Sequence, residues 1–97
     1  MDFEWDPKKN VVNITKHGFD FENAEDVFKG HVFAWVDRRK DYGEERWNGI
    51  GLLGDEVVLL VWTLRQPDRV RIISMRKAGK REREDYAKTV KDGLGTD

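Results

Sequence analysis

The sequence predicts an α+β domain, in which two helices precede an antiparallel sheet of about four main strands and one helix follows it. Helix start and stop signals dominate the chain before residue 31, and four β-rich runs joined by short turns follow. Strands that are linked by turns usually pair as neighbours, so we expect one antiparallel sheet. With 97 residues, the chain has room for a single domain, 1–97.

The first elements are indicated by capping residues. After a short extended start at Phe3–Trp5, Asp6 is a good N-cap and Pro7 suits the first helical position. Lys16, His17 and Gly18 predict the end of that helix, because cations are favoured in the last turn and glycine just after it. Asp20 begins a second, short helix that ends at Lys29-Gly30, and its apolar face consists of Phe21, Ala24, Val27 and Phe28.

The sheet is predicted from four β-rich runs at 32–36, 45–53, 56–64 and 70–75. The third run is apolar on both faces, which indicates a central strand covered on both sides. From Lys80, a highly charged segment predicts the last helix, with a narrow apolar stripe of Tyr86, Val90 and Leu94.

Composition favours a cytoplasmic protein. The chain has no cysteine, so disulfides and thiolate metal sites are excluded. Its acidic start lacks the order of a signal peptide. The longest apolar run, 57–62, is far shorter than the roughly 20 residues that cross a bilayer, so we expect no membrane association.

The net charge is −1, but the charges are segregated along the chain. Residues 1–26 hold seven acids against three lysines, whereas 69–83 hold seven basic residues against Glu82 alone. The basic segment could face phosphates, or it could be an ordinary solvated strand and helix.

Histidine and carboxylate residues are candidates for acid–base chemistry. The sequence has no HExxH motif, glycine-rich phosphate loop or zinc-ligand cluster, which favours a reaction without metal or cofactor. His17 is a candidate general acid or base, and it equally suits a helix C-terminus as a cation. His31 is interpreted as structural. Glu44 and Glu45 are adjacent, so on a strand they point to opposite faces, which disfavours a shared cation site.

Arginines and tryptophans are candidates for nucleic-acid contacts. Arg46, Arg71 and Arg76 lie on or near predicted strands, where convergent guanidinium groups could hold a phosphate and stabilise its transition state. Surface salt bridges to nearby acids would explain them equally well. The tryptophans could stack on bases, or anchor the core or a partner: Trp5, Trp35, Trp47 and Trp62.

Several blocks of the sequence together resemble the BrnT toxins, in that family's order and spacing. They are Phe3-Glu4-Trp5-Asp6-Pro7-x-Lys9-Asn10, Asn13-x-x-Lys16-His17-Gly18-x-x-Phe21, Tyr42-Gly43-Glu44-Glu45-Arg46-Trp47-x-x-Ile50-Gly51 and Arg71-Ile72-Ile73-Ser74-x-Arg76-Lys77-Ala78. The resemblance implies a RelE-like fold, metal-independent cleavage of RNA and neutralisation by a BrnA antitoxin. It also implies that operator DNA is bound only through the antitoxin complex.

The resemblance strengthens a hypothesis of in-line attack by a ribose 2′-OH on the adjacent phosphate. His17 or Glu45 would be the general base, and an arginine or His17 would be the general acid. Phosphate charge would be held by Lys16, Arg46, Arg71, Arg76 and Lys77. Two other interpretations stay open, a catalytically inactive module that represses transcription with an antitoxin and a general RNA-binding domain. We expect the antitoxin to bury an apolar surface around Trp35, Trp62 and the last helix.

Overall fold

The computed structural model describes residues 1–94. Its elements are β1 Asp2–Glu4, α1 Pro7–His17, a 3₁₀ turn Phe21–Asn23, α2 Ala24–Phe28, β2 Phe33–Asp37, β3 Arg46–Leu53, β4 Glu56–Arg65, β5 Arg69–Lys77 and α3 Lys80–Leu94. The predicted helices and the four main strands are confirmed, with boundaries that differ by a few residues at most. The expected place of Leu94 in the apolar stripe of α3 lies outside the described side chains.

The sheet differs from the predicted one in strand number and in one direction. Its five strands have the order β1-β5-β4-β3-β2, and the four main strands pair antiparallel, as predicted. β1 adds a fifth strand that runs parallel to β5, with Asp2–Glu4 opposite Arg69–Arg71. The predicted extended start at 3–5 is confirmed as a strand, but three residues carry too little pattern to predict its partner or its direction, which the available edge of β5 supplies.

Helix α1 begins and ends at the predicted residues but presents its apolar side to solvent. The Asp6 side chain accepts a hydrogen bond from the Lys8 N–H, and Gly18 ends the helix at φ +80°. Val11 and Val12 are more than 60% exposed, whereas Asn13 is buried. The helix is therefore attached to β5 by a polar side chain rather than by an apolar stripe.

The main core lies between the sheet and the helices α1 and α2. Phe21, Ala24 and Val27 pack there against the side chains of Val58, Leu60, Trp62, Val70, Ile72 and Met75. The Trp62 ring meets Phe28 edge-on at 4.9 Å between centroids. Trp62 is only 6% exposed, so the prediction that it contributes to an antitoxin surface is wrong.

Helix α3 covers only part of the opposite face of the sheet. Tyr86 packs there against Ile50 and Leu59, and its hydroxyl donates to the carbonyl of His31. Because α1, α2 and α3 lie on both sides of β4, the prediction of a central strand covered on both faces is confirmed. None of the helices in residues 1–94 is both long and apolar enough to cross a membrane.

Candidate functional site

The uncovered part of the sheet carries a row of polar residues that crosses all five strands. The strand register places Glu4 opposite Arg71, Arg71 opposite Thr63, Thr63 opposite Arg46 and Arg46 opposite Asp37. Directly opposed residues share a face, so these five side chains form a single line, the arginine row. The face that bears it, beyond the area covered by α3, is called the open face below.

The two arginines of the row are each held by a carboxylate. Arg71 donates from Nη1 to Glu4 at 2.7 Å, and this bond is the main reason that the pKa of Glu4 lies below its ordinary value. Arg46 donates from Nε to Glu44 at 3.3 Å, and its guanidinium lies 4.1 Å from the centroid of the Tyr42 ring. These contacts orient both side chains and leave other guanidinium N–H groups for an incoming anion.

Positive charge exceeds negative charge on the open face. Six arginines belong to it or to its rim, namely Arg39, Arg46, Arg65, Arg69, Arg71 and Arg76, and they pair with four carboxylates, Glu4, Asp37, Glu44 and Glu82. Three hydrogen bonds from Arg39, two from its side chain and one from its backbone, hold the pKa of Asp37 well below its usual range. The carboxylates thus stay ionised and fix the arginines, while the excess charge suits a polyanion.

Next to the arginine row lies a hollow of about 330 Å³, the central cavity. Its lining comes from β2, β3, β4, β5 and α3 and consists of Trp35, Arg39, Asn48, Leu59, Val61, Ser74, Arg76 and Glu82. Trp35, Asn48, Val61 and Ser74 form the row of opposed residues that follows the arginine row along the sheet. The cavity and the arginine row therefore belong to one continuous surface.

Arg76 lies on the open face but apart from the arginine row. Arg76 pairs with Leu59 of β4. It lies five residues beyond Arg71 on β5, so at strand spacing the Cα atoms of the two arginines are roughly 15 Å apart. Both of its terminal nitrogens donate to Glu82, each at 2.9 Å, and this ion pair lowers the pKa of Glu82. The structure thus brings Arg46 and Arg71 together across Thr63 and places Arg76 at the wall of the central cavity.

His17 and Lys16 lie in a neighbouring groove between α1 and β5. His17 is the last residue of α1, as predicted, and the groove of about 360 Å³ is also lined by Lys8, Lys9, Val12, Asn13, Ile73 and Ser74. Ser74 lines the central cavity as well, so the two hollows adjoin at this residue. A β-bulge near Val61 and Trp62 interrupts the pairing with β5 at this point.

Two other predicted site residues lie away from the arginine row. Glu45 is exposed and precedes β3, and it is Glu44 rather than Glu45 that bonds to Arg46. The backbone carbonyl of Glu45 accepts a hydrogen bond from Thr63 at 2.7 Å. Lys77 is exposed at the end of β5, opposite Val58 of the core face. The structure therefore brings neither the Glu45 carboxylate nor the Lys77 ammonium group to Arg46 and Arg71.

Several residues of this surface were not predicted from the sequence. Glu4 and Thr63 enter the arginine row through the strand register, and Asn48 enters the central cavity in the same way. Alternation along 45–53 would have placed Asn48 on the face of Arg46, and a polar side chain at such a position is a usable signal. The pairing of β1 with β5, which brings Glu4 to Arg71, has no comparable signal in the sequence.

Comparison with known proteins identifies a family and similar solved structures. Residues 5–82 match the family described as "Ribonuclease toxin, BrnT, of type II toxin-antitoxin system". The crystal structure of the Brucella abortus ribonuclease toxin BrnT is similar at a TM-score of 0.64 and 29% identity, over 82% of this chain and 99% of that chain. No curated protein matches the chain.

Proposed function

This chain belongs to the BrnT family of ribonuclease toxins from type II toxin-antitoxin systems, and we propose that it cleaves RNA on its open face without a metal ion. One observation carries the proposal: Arg46 and Arg71 flank Thr63 in a row on the part of the sheet face that α3 leaves uncovered. Their Cα atoms are two strand spacings apart, about 10 Å, so their long side chains can meet over Thr63.

Two guanidinium groups at this distance suit a phosphate whose charge increases during the reaction. Each is already oriented by a carboxylate, Glu44 or Glu4, so little reorganisation is needed when the phosphate binds. The transition state of in-line displacement carries more charge on its oxygens than the diester does. By analogy with oxyanion donors, each arginine contributes about 10²- to 10³-fold to the rate.

The proposed reaction is attack of the ribose 2′-OH on the neighbouring phosphorus. A base removes the 2′-hydroxyl proton, the bond from phosphorus to the 5′-oxygen breaks, and an acid protonates that oxygen. The products are a 2′,3′-cyclic phosphate and a 5′-hydroxyl. We assign one of the two proton transfers to His17, because Ser74 connects its groove to the central cavity. Glu45 is the alternative base, and Lys16 and Lys77 would hold flanking phosphates.

The proposed reaction needs no metal ion because arginine side chains supply the positive charge. The arginines of the open face supply the cationic charge that a bound Mg²⁺ would otherwise supply to the phosphate. The carboxylates Glu4, Asp37, Glu44 and Glu82 each contact an arginine. The proposal therefore requires full activity in the presence of a chelator.

We further propose that the antitoxin is of the BrnA type, that it covers the exposed side of α1, and that operator DNA is bound only through the complex. Val11, Val12 and Ile14 are 64%, 63% and 40% exposed, which is unusual for three apolar residues of one short helix. Lysines 8, 9 and 16 surround them. This combination suits an acidic amphipathic segment, whose apolar side would bury the valines and whose carboxylates would meet the lysines.

The test is cleavage of RNA by the purified protein in the presence of EDTA. The Arg46→Ala, Arg71→Ala double variant should lose at least 10²-fold in rate. The control is Lys88→Ala, Lys91→Ala, which removes the same charge from exposed positions of α3 and should keep the wild-type rate. The melting temperature of each variant is measured first, and rates are compared only between proteins whose melting temperatures match.

The outcomes separate the proposal from its alternatives. Cleavage that disappears with EDTA and returns with Mg²⁺ would refute the metal-free reaction. Intact RNA with folded wild-type protein would favour the inactive repressor module. In the same assay, His17→Ala and Glu45→Gln decide between the two bases, because loss of the acting base lowers the rate by about 10²- to 10⁴-fold.

A further inference from the structure

The central cavity has the size and lining of a site for one planar ligand. Its volume of about 330 Å³ is at the lower end of the range for small-molecule pockets. Trp35, at its β2 side, is 37% exposed and presents an aromatic surface, while Asn48 in its floor is only 5% exposed. An accessible aromatic ring beside a buried amide is the combination by which proteins bind an unstacked nucleobase.

The position of the cavity fits the path of an RNA strand. Asn48 and Trp35 are two residues from Arg46 and Asp37 along their strands, so the two rows are about 7 Å apart. A phosphate held at the arginine row would thus place the base of an adjoining nucleotide over the cavity. At the far wall, the ion pair of Arg76 with Glu82 has two bonds of 2.9 Å and keeps that wall in place.

Asn48 gives the cavity a polar group for the edge of a base. A side-chain amide carries both a hydrogen-bond donor and an acceptor, so Asn48 can pair with the polar edge of a base that lies on Trp35.

We propose that the central cavity is a nucleobase subsite, in which Trp35 stacks on a base and the Asn48 amide forms a hydrogen bond to its edge. This inference rests on the proposed function, because it assumes that RNA binds the open face. It assigns the cavity to the base of the nucleotide next to the cleaved phosphate.

The test measures binding rather than cleavage. Oligonucleotides of 2′-deoxy chemistry lack the attacking hydroxyl, so their dissociation constants are obtained by fluorescence anisotropy without turnover. We compare one short oligonucleotide with variants of it in which each nucleotide in turn is replaced by an abasic site. At one position, loss of the base should weaken binding at least fivefold, and equal affinities for all of these ligands would overturn the proposal.

Variants at the rim test the stacking separately. Trp35→Ala should weaken binding by about ten- to a hundredfold and Trp35→Phe by much less, because base stacking needs an aromatic ring. Leu52→Ala removes an exposed apolar side chain elsewhere on the sheet and should change nothing. Wild-type affinity in a folded Trp35→Ala protein would contradict the inference.

Failure of the inference and failure of the proposed function give different results. If the protein cleaves RNA while every abasic ligand and the Trp35→Ala variant bind with wild-type affinity, the reaction stands and the subsite is refuted. If loss of one base weakens binding but RNA stays intact, the subsite stands and the nuclease is refuted.

Discussion

Replacing Asn13 with alanine tests how α1 is attached to the sheet. The Asn13 amide donates to the carbonyls of Phe19 and Met75, both at 2.9 Å, and its oxygen accepts from the Met75 N–H at 3.2 Å. The side chain therefore pairs with β5 much as another strand would. Because the apolar residues of α1 are exposed, these bonds are its main attachment to the sheet, while Asn10 holds it to Asp20 and Phe21.

The expected cost follows from the three hydrogen bonds. Each contributes a net ~1 kcal/mol, and a buried backbone group left without a partner costs about 1–3 kcal/mol. Asn13→Ala removes all three bonds and exposes the buried Met75 backbone groups to that penalty. We expect the free energy of unfolding to fall by about 3 kcal/mol, a large fraction of the roughly 5–15 kcal/mol typical of a domain.

Equilibrium unfolding in urea, followed by tryptophan fluorescence, measures this change. Thr15→Ala is the control on the same helix, because the exposed Thr15 hydroxyl bonds only to the Val11 carbonyl within α1. It should cost less than about 0.5 kcal/mol. A loss below about 1 kcal/mol for Asn13→Ala would refute the reasoning, since three buried hydrogen bonds cannot cost so little together.

Two further predictions concern packing and pH. Gly49→Ala should lower the free energy of unfolding in urea by about 1–3 kcal/mol, because the new Cβ would lie 2.5 Å from the Trp62 ring and 2.9 Å from Val32. Wild-type stability of this variant would contradict the close packing. The hydrogen bonds from Arg76 lower the pKa of Glu82 from its ordinary 4.5. The ionised carboxylate therefore stabilises the folded state above pH 4.5, and this stabilisation is lost as the pH falls through the pKa of the folded state. Unfolding measured across this acid range should be less pH-dependent in Glu82→Gln than in the wild type, and identical profiles would contradict the ion pair.

The sequence was sufficient where local chemistry decides the structure. Asp6, Pro7 and Gly18 delimit α1 because caps act within one turn of a helix. The turns at Gly54 and Pro67 likewise fix which of the four main strands are neighbours. The resemblance to the BrnT family is confirmed by the match over residues 5–82.

Long-range pairing could not be predicted in the same way. β1 joins β5 across more than sixty residues, and this contact alone brings Glu4 to Arg71. The burial of Trp62 depends on close approach at Gly49, which composition does not reveal. The arginines were found from the sequence, but their division into Arg46 with Arg71 and a separate Arg76 depends on the strand register. The roles of His17 and Glu45 stay predictions.

The most direct test of the central claim is inducible expression of this chain alone in a bacterial host, with growth and total RNA integrity followed over time. Arrested growth and RNA loss are expected for the wild type and for Lys88→Ala, Lys91→Ala. The equally soluble Arg46→Ala, Arg71→Ala variant should leave both growth and RNA intact. RNA loss that persists in this variant would contradict the claim that the arginine row carries the reaction.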